Sequence, residues 1–258
     1  MALFPDYGRK IFSEENVDVP AGLKTVSAYD LALYPELGNH RRGVLVVTVI
    51  GSFTFKDGKK DDGTPLTWTG AQKTAYLNDF KRAAVQTWTD KHRITTASLV
   101  ATIKDVGVMF DVRVAESMSV FRHSHWNIAV TRTDKYRTSG VYGDGGGLCT
   151  NGDAFLDSQD VTATNVGGPA LQRACVHEFG HMPGYRDEYP TRPGMAAGTR
   201  SWLGDLGSVM SKSETVRPRH YVFFAHRLTE KFRYIASLRR QAIDWKVNGT
   251  VDLANARL

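Results

Sequence analysis

The hydrophobic and polar positions of this chain fall into blocks that predict a mixed order of strands and helices. From Arg42 to Phe55 the residues are rich in Val, Ile, Thr and Phe, and the apolar run Val44 to Ile50 is far short of a membrane span. It predicts a buried strand. Lys56 to Thr67, with Asp62-Gly63 and Pro65, predicts a polar turn region. Ala75, Leu77, Phe80, Ala83, Ala84 and Trp88 then recur at helical spacing, which predicts a helix over about Gly70 to Asp90 with Thr69 as its N-cap. Ser98 to Ile103, Val106 to Val114 and Trp126 to Thr131 read as short strands, followed by a Gly- and Asp-dense loop from Ser139 to Asp160. A second helix is expected from near Gly168-Pro169, carrying Leu171, Ala174, Cys175 and two histidines, and ending at Pro183-Gly184. Pro190 to Ser213 is expected to be irregular. Tyr221, Phe224, Leu228, Phe232 and Ile235 predict a last helix over about Pro218 to Arg239.

The fold class expected from this order is α+β. Residues 1–41 show no clear periodicity and are expected as an irregular arm, 42–240 as the main domain and 241–258 as a tail. With 258 residues, 41% hydrophobic and 23% charged, the composition is that of a soluble globular protein. It excludes disordered, collagenous and coiled-coil classes. The net charge of +6 is scattered, with Lys59-Lys60 and Arg239-Arg240 the densest pairs, so nucleic acid is not the expected partner. The opening Met1-Ala-Leu-Phe-Pro-Asp lacks the basic and apolar regions of a secretory signal. The expectation is a protein that is cytoplasmic as made or exported by a route without such a signal, with compartment and oligomeric state open. Cys149 and Cys175 allow one disulfide or two free thiols.

Candidate chemistry centres on His177-Glu178-Phe179-Gly180-His181. Residues four apart share one helix face, so both imidazoles can reach one ion. Glu178, beside the first ligand, is placed to take a proton from a water that zinc has acidified toward a pKa of ~7. The expected cofactor is therefore Zn2+, and the expected general base is Glu178.

The continuation His181-Met182-Pro183-Gly184-Tyr185-Arg186-Asp187-Glu188-Tyr189 resembles the extended zinc signature of the metzincin metallopeptidases. A Gly three residues after the second His turns the chain there, and the third ligand follows three residues later. Asp187 fills that place instead of the commoner His, which is similar to the snapalysin-like branch, as is Tyr189. A carboxylate oxygen is an acceptable zinc ligand. Met210, in Leu206-Gly207-Ser208-Val209-Met210-Ser211, is similar to the Met turn that floors the metal in that family. The resemblance implies a two-lobed zincin. Its N-lobe, 42–184, would hold a mixed twisted sheet and two long helices; its C-lobe, 185–240, would be irregular with one long helix. It implies an endopeptidase acting on a protein or peptide substrate. Pro183 and the Asp ligand depart from the commoner pattern. Glu188, one residue on, and Glu214, as in a gluzincin arrangement, are competing third ligands.

Further candidates lie outside this triad. Tyr189, from the resemblance, and His220, which follows Met210, are candidate donors to an oxyanion. Gly143 to Gly147 with Asp153, Asp157 and Asp160 offers oxygens for a Ca2+ site or a flexible turn near a substrate-pairing edge. His123 and His125 share a strand face and read either as a second metal pair or as a polar strand tip. Two other functional classes remain open: a zinc-stabilised binding module with an occluded cleft, and an effector metallopeptidase exported without a signal.

Overall fold

The structure is a computed structural model that describes residues 9–21, 24–99, 101–116, 124–137, 139–142, 152–189, 204–238 and 243–248. Strands β1 (Phe12–Ala21), β2 (Lys24–Glu36) and β3 (Asn39–Lys56) come first, followed by the small ribbon of β4 (Gly58–Lys59) and β5 (Pro65–Leu66). Helix α1 (Gly70–Trp88) leads to β6 (Arg93–Thr95), β7 (Asp105–Glu116), β8 (Trp126–Thr131), β9 (Gly140–Tyr142) and β10 (Gly152–Asp157). Helix α2 (Ala174–His181), a 3-10 turn over Pro218–Tyr221, helix α3 (Val222–Leu238) and β11 (Lys246–Val247) complete the order.

A nine-stranded mixed sheet organises these elements. Its centre is parallel, in the order β7-β3-β8-β10, and antiparallel strands close it on both sides: β6 and β11 beyond β7, and β9 beyond β10. With few helices beside this curled sheet, the chain is of the α+β type. No described helix is long and apolar enough to cross a membrane.

The long strand β3 alternates into the core through Leu45, Val47, Val49 and Phe53. One edge of β3 pairs with β7; the other is shared end to end, by β2 up to Thr48 and by β8 from Gly51. His125 fills the seam. Its Nδ1 accepts from the Ile50 N–H at 3.0 Å, its Nε2 lies 3.2 Å from Asp30 Oδ1, and the ring is fully buried. The polar-strand-tip reading therefore holds for His125, and His123 lies outside the described residues.

Helix α1 starts where Thr69 predicts. The Thr69 hydroxyl accepts from Gln72 N–H at 3.2 Å and Gln72 Oε1 accepts from Thr69 N–H at 3.1 Å, a reciprocal cap. The helix lays Tyr76, Phe80, Ala83, Ala84 and Trp88 on the sheet as one buried stripe.

Several expectations are corrected. Residues 12–36 are not an irregular arm but the hairpin β1–β2, which buries Val17, Val19, Val26, Tyr29, Leu31 and Leu33. It packs against α3 through Phe12 on Phe232 and Tyr29 on Phe223 and Phe224. Residues 243–248 are not a free tail: Ile243, Trp245 and Val247 are buried, and β11 extends the sheet along β6. The described residues of Ser98 to Ile103 form no strand; the segment connects the antiparallel neighbours β6 and β7, and Leu99 stands 83% exposed. The Ser139 to Asp160 segment contains β9 and β10, with Ala154 and Leu156 turned inward. The expected helix from Gly168 begins only at Ala174. A Thr164–Gln172 bridge closes the preceding residues into a bent loop, and Gly168 sits against the Lys212 carbonyl where a Cβ would fall at 1.8 Å. The second helix is thus short, 8 residues against 19 in α1.

Candidate metal centre

Helix α2 has no side-chain N-cap, and two turns are too few to be stable alone. Packing holds it. Phe179 is buried against Phe80, Trp88 and Phe110, and the Trp88 indole donates to the Val176 carbonyl at 3.1 Å. Gly180 carries no side chain because Met210 lies against it: an added Cβ would fall 2.3 Å from Met210 Sδ and 2.6 Å from Trp88 Cζ2.

The chain then reverses through Gly184, whose φ of 101° favours glycine, and the Tyr185 N–H returns to the Gly180 carbonyl at 3.2 Å. This turn brings Asp187 back over the helix. Asp187 Oδ1 lies 3.0 Å from His177 Nε2 and 3.3 Å from His181 Nε2. Each imidazole is oriented by its other nitrogen. His177 Nδ1 is 2.9 Å from the Val209 carbonyl, and His181 Nδ1 is 2.7 Å from the Tyr185 carbonyl. A carbonyl only accepts, so both Nδ1 atoms carry a proton, and both Nε2 atoms turn toward the one Asp187 oxygen.

Tetrahedral zinc with bonds of ~2.0–2.2 Å needs donor atoms ~3.3–3.5 Å apart. The two measured separations lie at or just under that range, so the donor set fits such an ion. The donor atoms of His177, Glu178 and His181 also lie within 4.8 Å of one another.

Glu178 is buried, and its Oε2 has no hydrogen-bond partner among the described residues. Burial raises its carboxyl pKa, against the lowering effect of the two imidazoles. Burial would also raise Asp187, but the hydrogen bonds of His177 and His181 outweigh it and hold this carboxyl well below the usual range. Burial would lower His181; the Asp187 hydrogen bond, with the charges of Glu178 and Asp187, raises it instead. The arrangement is a converging pair of imidazoles and a carboxylate, with the Glu178 carboxylate beside them.

No family model, curated protein or solved structure matches this chain.

The remaining candidates separate cleanly. Tyr189 is at the site: its ring lies 5.9 Å from that of His177, and burial, with the charges of Asp187 and Glu178, raises its phenol pKa. His220 is not. It is buried against Trp88 and Tyr185, with Nε2 3.2 Å from Glu188 Oε1 and Nδ1 accepting from Arg217 N–H. Glu188 is likewise committed elsewhere, receiving Arg219 at 2.7 and 2.5 Å. Burial would raise its pKa, but the Arg219 and His220 bonds hold it at about 2. Glu214 receives Arg173 through the backbone N–H, Nε and Nη2, so it does not face the histidines.

The Ca2+ expectation fares no better on its described residues. Asp157 accepts from the Arg137 and Gln159 N–H groups, Asp160 from the Asp157 N–H and the Ser139 hydroxyl, and Asp153 from Asn127. Asp160 Oδ1 is buried without a partner among the described residues, but no group of three acids gathers there around a common point. Gly143 to Gly147 and Cys149 lie outside the described residues; Cys175 is a free buried thiol.

Two positioning residues have no signature in the sequence. Gln172 Nε2 sits 3.0, 3.2 and 2.7 Å from the carbonyls of Val209, Ser211 and Ser213, so it fastens the loop that carries Met210. The Val209 carbonyl, a backbone atom, orients His177.

Proposed function

We propose that this chain is a zinc-dependent endopeptidase in which His177, His181 and Asp187 hold the ion and Glu178 is the general base. The observation that carries the reading is the single Asp187 oxygen within 3.3 Å of both imidazole Nε2 atoms, with Glu178 Oε2 buried next to them and without a partner among the described residues. The ion's contribution, when bound, is to polarise the scissile carbonyl and to acidify water toward a pKa of ~7.

The chain's own residues supply the rest. Glu178 Oε2, with no competing donor, accepts a proton from the attacking water and returns it to the departing amine. Its raised pKa suits both halves of that transfer. The Tyr189 phenol, kept protonated by burial and by the charges of Asp187 and Glu178, donates to the oxyanion as it forms.

The resemblance to metzincins is supported by Met210 lying against Gly180 under the helix, and by the turn at Gly184 that returns Asp187. On this reading α1, the sheet and α2 correspond to the amino-terminal lobe, and the segment from Tyr185 through α3 to the other.

The test is Glu178→Gln in the zinc-loaded protein. Casein hydrolysis should fall by about 10²–10⁴-fold, the range for general acid–base catalysis, while bound zinc stays near one per chain. Full activity in that variant overturns the mechanism.

A further inference from the structure

The loop that carries Met210 is fastened to the residues just before α2, and the fastening passes through an atom that His177 also uses. Gln172 is 5% exposed, and its Nε2 faces the carbonyls of Val209, Ser211 and Ser213 at 3.0, 3.2 and 2.7 Å. The Val209 oxygen receives a second donor, His177 Nδ1, at 2.9 Å. A carbonyl oxygen has two lone pairs, so Gln172 and His177 together fill the acceptor capacity of this one atom. The shared oxygen couples the amide to the ring.

Gln172 is itself held in place. Its backbone N–H and carbonyl both pair with Thr164, at 2.9 Å each, and the next residue, Arg173, donates its backbone N–H to Glu214 of the same loop at 2.8 Å. Three carbonyls pointing into one buried place repel one another unless a donor stands between them. The Gln172 amide brings two hydrogens to that place. The nearby backbone does not supply them, because the Val209 N–H donates to the Thr215 carbonyl and the Ser211 and Ser213 N–H groups to the Ser208 carbonyl. The direction of the Val209 carbonyl therefore depends on the Gln172 side chain and not on the loop alone.

We infer that Gln172 is a positioning residue for the metal ligand His177: by drawing three loop carbonyls to one point, its amide holds the Val209 oxygen where the His177 ring donates to it, and so sets the affinity of the centre for its ion. This rests on the metal-centre part of the proposed function and is independent of hydrolysis. It adds to that centre a residue that precedes α2 and acts on the ion only through His177. Loss of the amide frees the carbonyls to turn apart, and the imidazole loses the acceptor that aims its Nε2.

The test titrates metal-free full-length protein, Gln172→Met and Ile94→Val with Zn2+ in competition with a chromophoric chelator, and with Co2+, whose visible absorption reports the geometry of its ligands. Casein hydrolysis by the zinc-loaded parent runs in parallel. Gln172→Met keeps the length of the side chain and loses both hydrogens. Ile94→Val lowers stability from β6, between β7 and β11, where Ile94 is fully buried. Gln172→Met should weaken zinc about 10-fold, at the lower end for groups behind a metal-bound histidine, and shift the Co2+ spectrum. Ile94→Val should match the parent in both. Parental affinity with an unchanged Co2+ spectrum in Gln172→Met overturns the proposal, as does an equal loss in Ile94→Val, which would trace the effect to stability. If Gln172→Met does not fold, proton NMR of the metal-free parent decides. There the His177 Nδ1 proton and the Gln172 amide protons converge on one oxygen and should give a cross-relaxation peak; its absence overturns the coupling. A parent that binds neither ion removes the metal centre and this inference with it. A parent that binds zinc but leaves casein intact removes the peptidase reading and leaves the positioning role standing.

Discussion

Gly180→Ala is the substitution on which local propensity and packing disagree most openly. Inside a helix, replacing Gly by Ala gains ~1 kcal/mol. At Gly180 the new methyl would stand 2.3 Å from Met210 Sδ, and 2.6 and 3.1 Å from Trp88 Cζ2 and Cη2. Neither neighbour yields easily. Trp88 is pinned by its bond to the Val176 carbonyl and stacks on Tyr185 at 5.4 Å; Met210 is fully buried in a turn whose Met210 carbonyl accepts from the Glu188 N–H. Overpacking of this kind costs ~3 kcal/mol, at the upper end of the usual range. The net is a loss of ~2 kcal/mol, or a Tm lower by ~4–8 °C for a chain of this size. The strain is relieved by moving the loop that carries the Val209 carbonyl, so His177 loses its orientation and zinc affinity falls as well. The control is Gly70→Ala at the first residue of α1, where an added Cβ meets nothing within 4 Å and the propensity gain stands alone. Urea denaturation and thermal melts of the two metal-free variants give the comparison. If Gly180→Ala matched or exceeded the parent in stability while keeping its zinc affinity, the packing of Met210 beneath α2 would be wrong.

Other outcomes follow from the same geometry. Asp187→Asn should lower zinc affinity by at least ~10-fold, while Glu188→Gln should retain zinc and lose stability by ~3 kcal/mol, because Arg219 is left without its buried counter-charge; atomic absorption and urea midpoints on both variants distinguish ligand from structural acid. Tyr189→Phe should reduce kcat by ~10²-fold with KM little changed, as loss of one oxyanion donor does; an equal rise in KM would move its role to ground-state binding. Asp160 carries the clearest pH signature: burial, against the Ser139 and Asp157 hydrogen bonds, raises its pKa from 3.8 to about 7. The folded chain therefore keeps a proton that the unfolded chain releases, so stability from this group falls as pH rises from about 4 to about 7. Asp160→Asn should remove that slope, leaving stability near pH 4 unchanged and raising it by on the order of 2 kcal/mol at pH 8; a urea-midpoint profile parallel to that of the parent would refute the assignment.

The parts of this architecture that the sequence exposes are those written in side-chain spacing. Thr69 and Gln72 announce the start of α1, and the four-residue spacing of His177 and His181 announces a shared face. The hairpin β1–β2 hid for a physical reason. Phe12 and Glu14 are half-buried and Val17 and Val19 fully so, which reverses the parity of the alternation in mid-strand. The reversal sits at a register shift between Glu14 and Val17, where Asn16 adopts a φ of 55°. A bulge inserts one residue, and a search for period two then finds no strand. The groups that orient the two histidines hid for another reason. Val209 and Tyr185 act through carbonyls, which every residue owns, and Gln172 acts through an amide whose targets lie 37 to 41 residues away. His220 erred in the opposite direction: its position after Met210 suggested the cleft, but Glu188 and Arg217 draw the ring into the core behind Tyr185.

On the proposed reading, these contacts bear on what a bound metal would do for the fold. Apart from Asp187, the groups that orient the two imidazoles lie on the side away from their Nε2 atoms: the Val209 and Tyr185 carbonyls, Gln172 beneath the Met210 loop, and Trp88 above Val176. None of these bonds requires an ion, and the helix they brace is buried in the main hydrophobic core. A small zinc domain without such a core unfolds when its metal is removed. Here the expected result of chelation is different. Far-UV circular dichroism should stay unchanged, and Tm should fall only by the binding term, ~4 kcal/mol when free zinc stands 1,000-fold above its Kd. Asp187 stays engaged in the metal-free chain because its hydrogen bonds to His177 and His181 replace the coordination it loses. Its substitution by Asn should accordingly narrow the Tm gap between the zinc-loaded and chelated forms. Loss of helical signal on adding chelator would show instead that the ion builds the site, and that the bonds behind the histidines follow the metal rather than precede it.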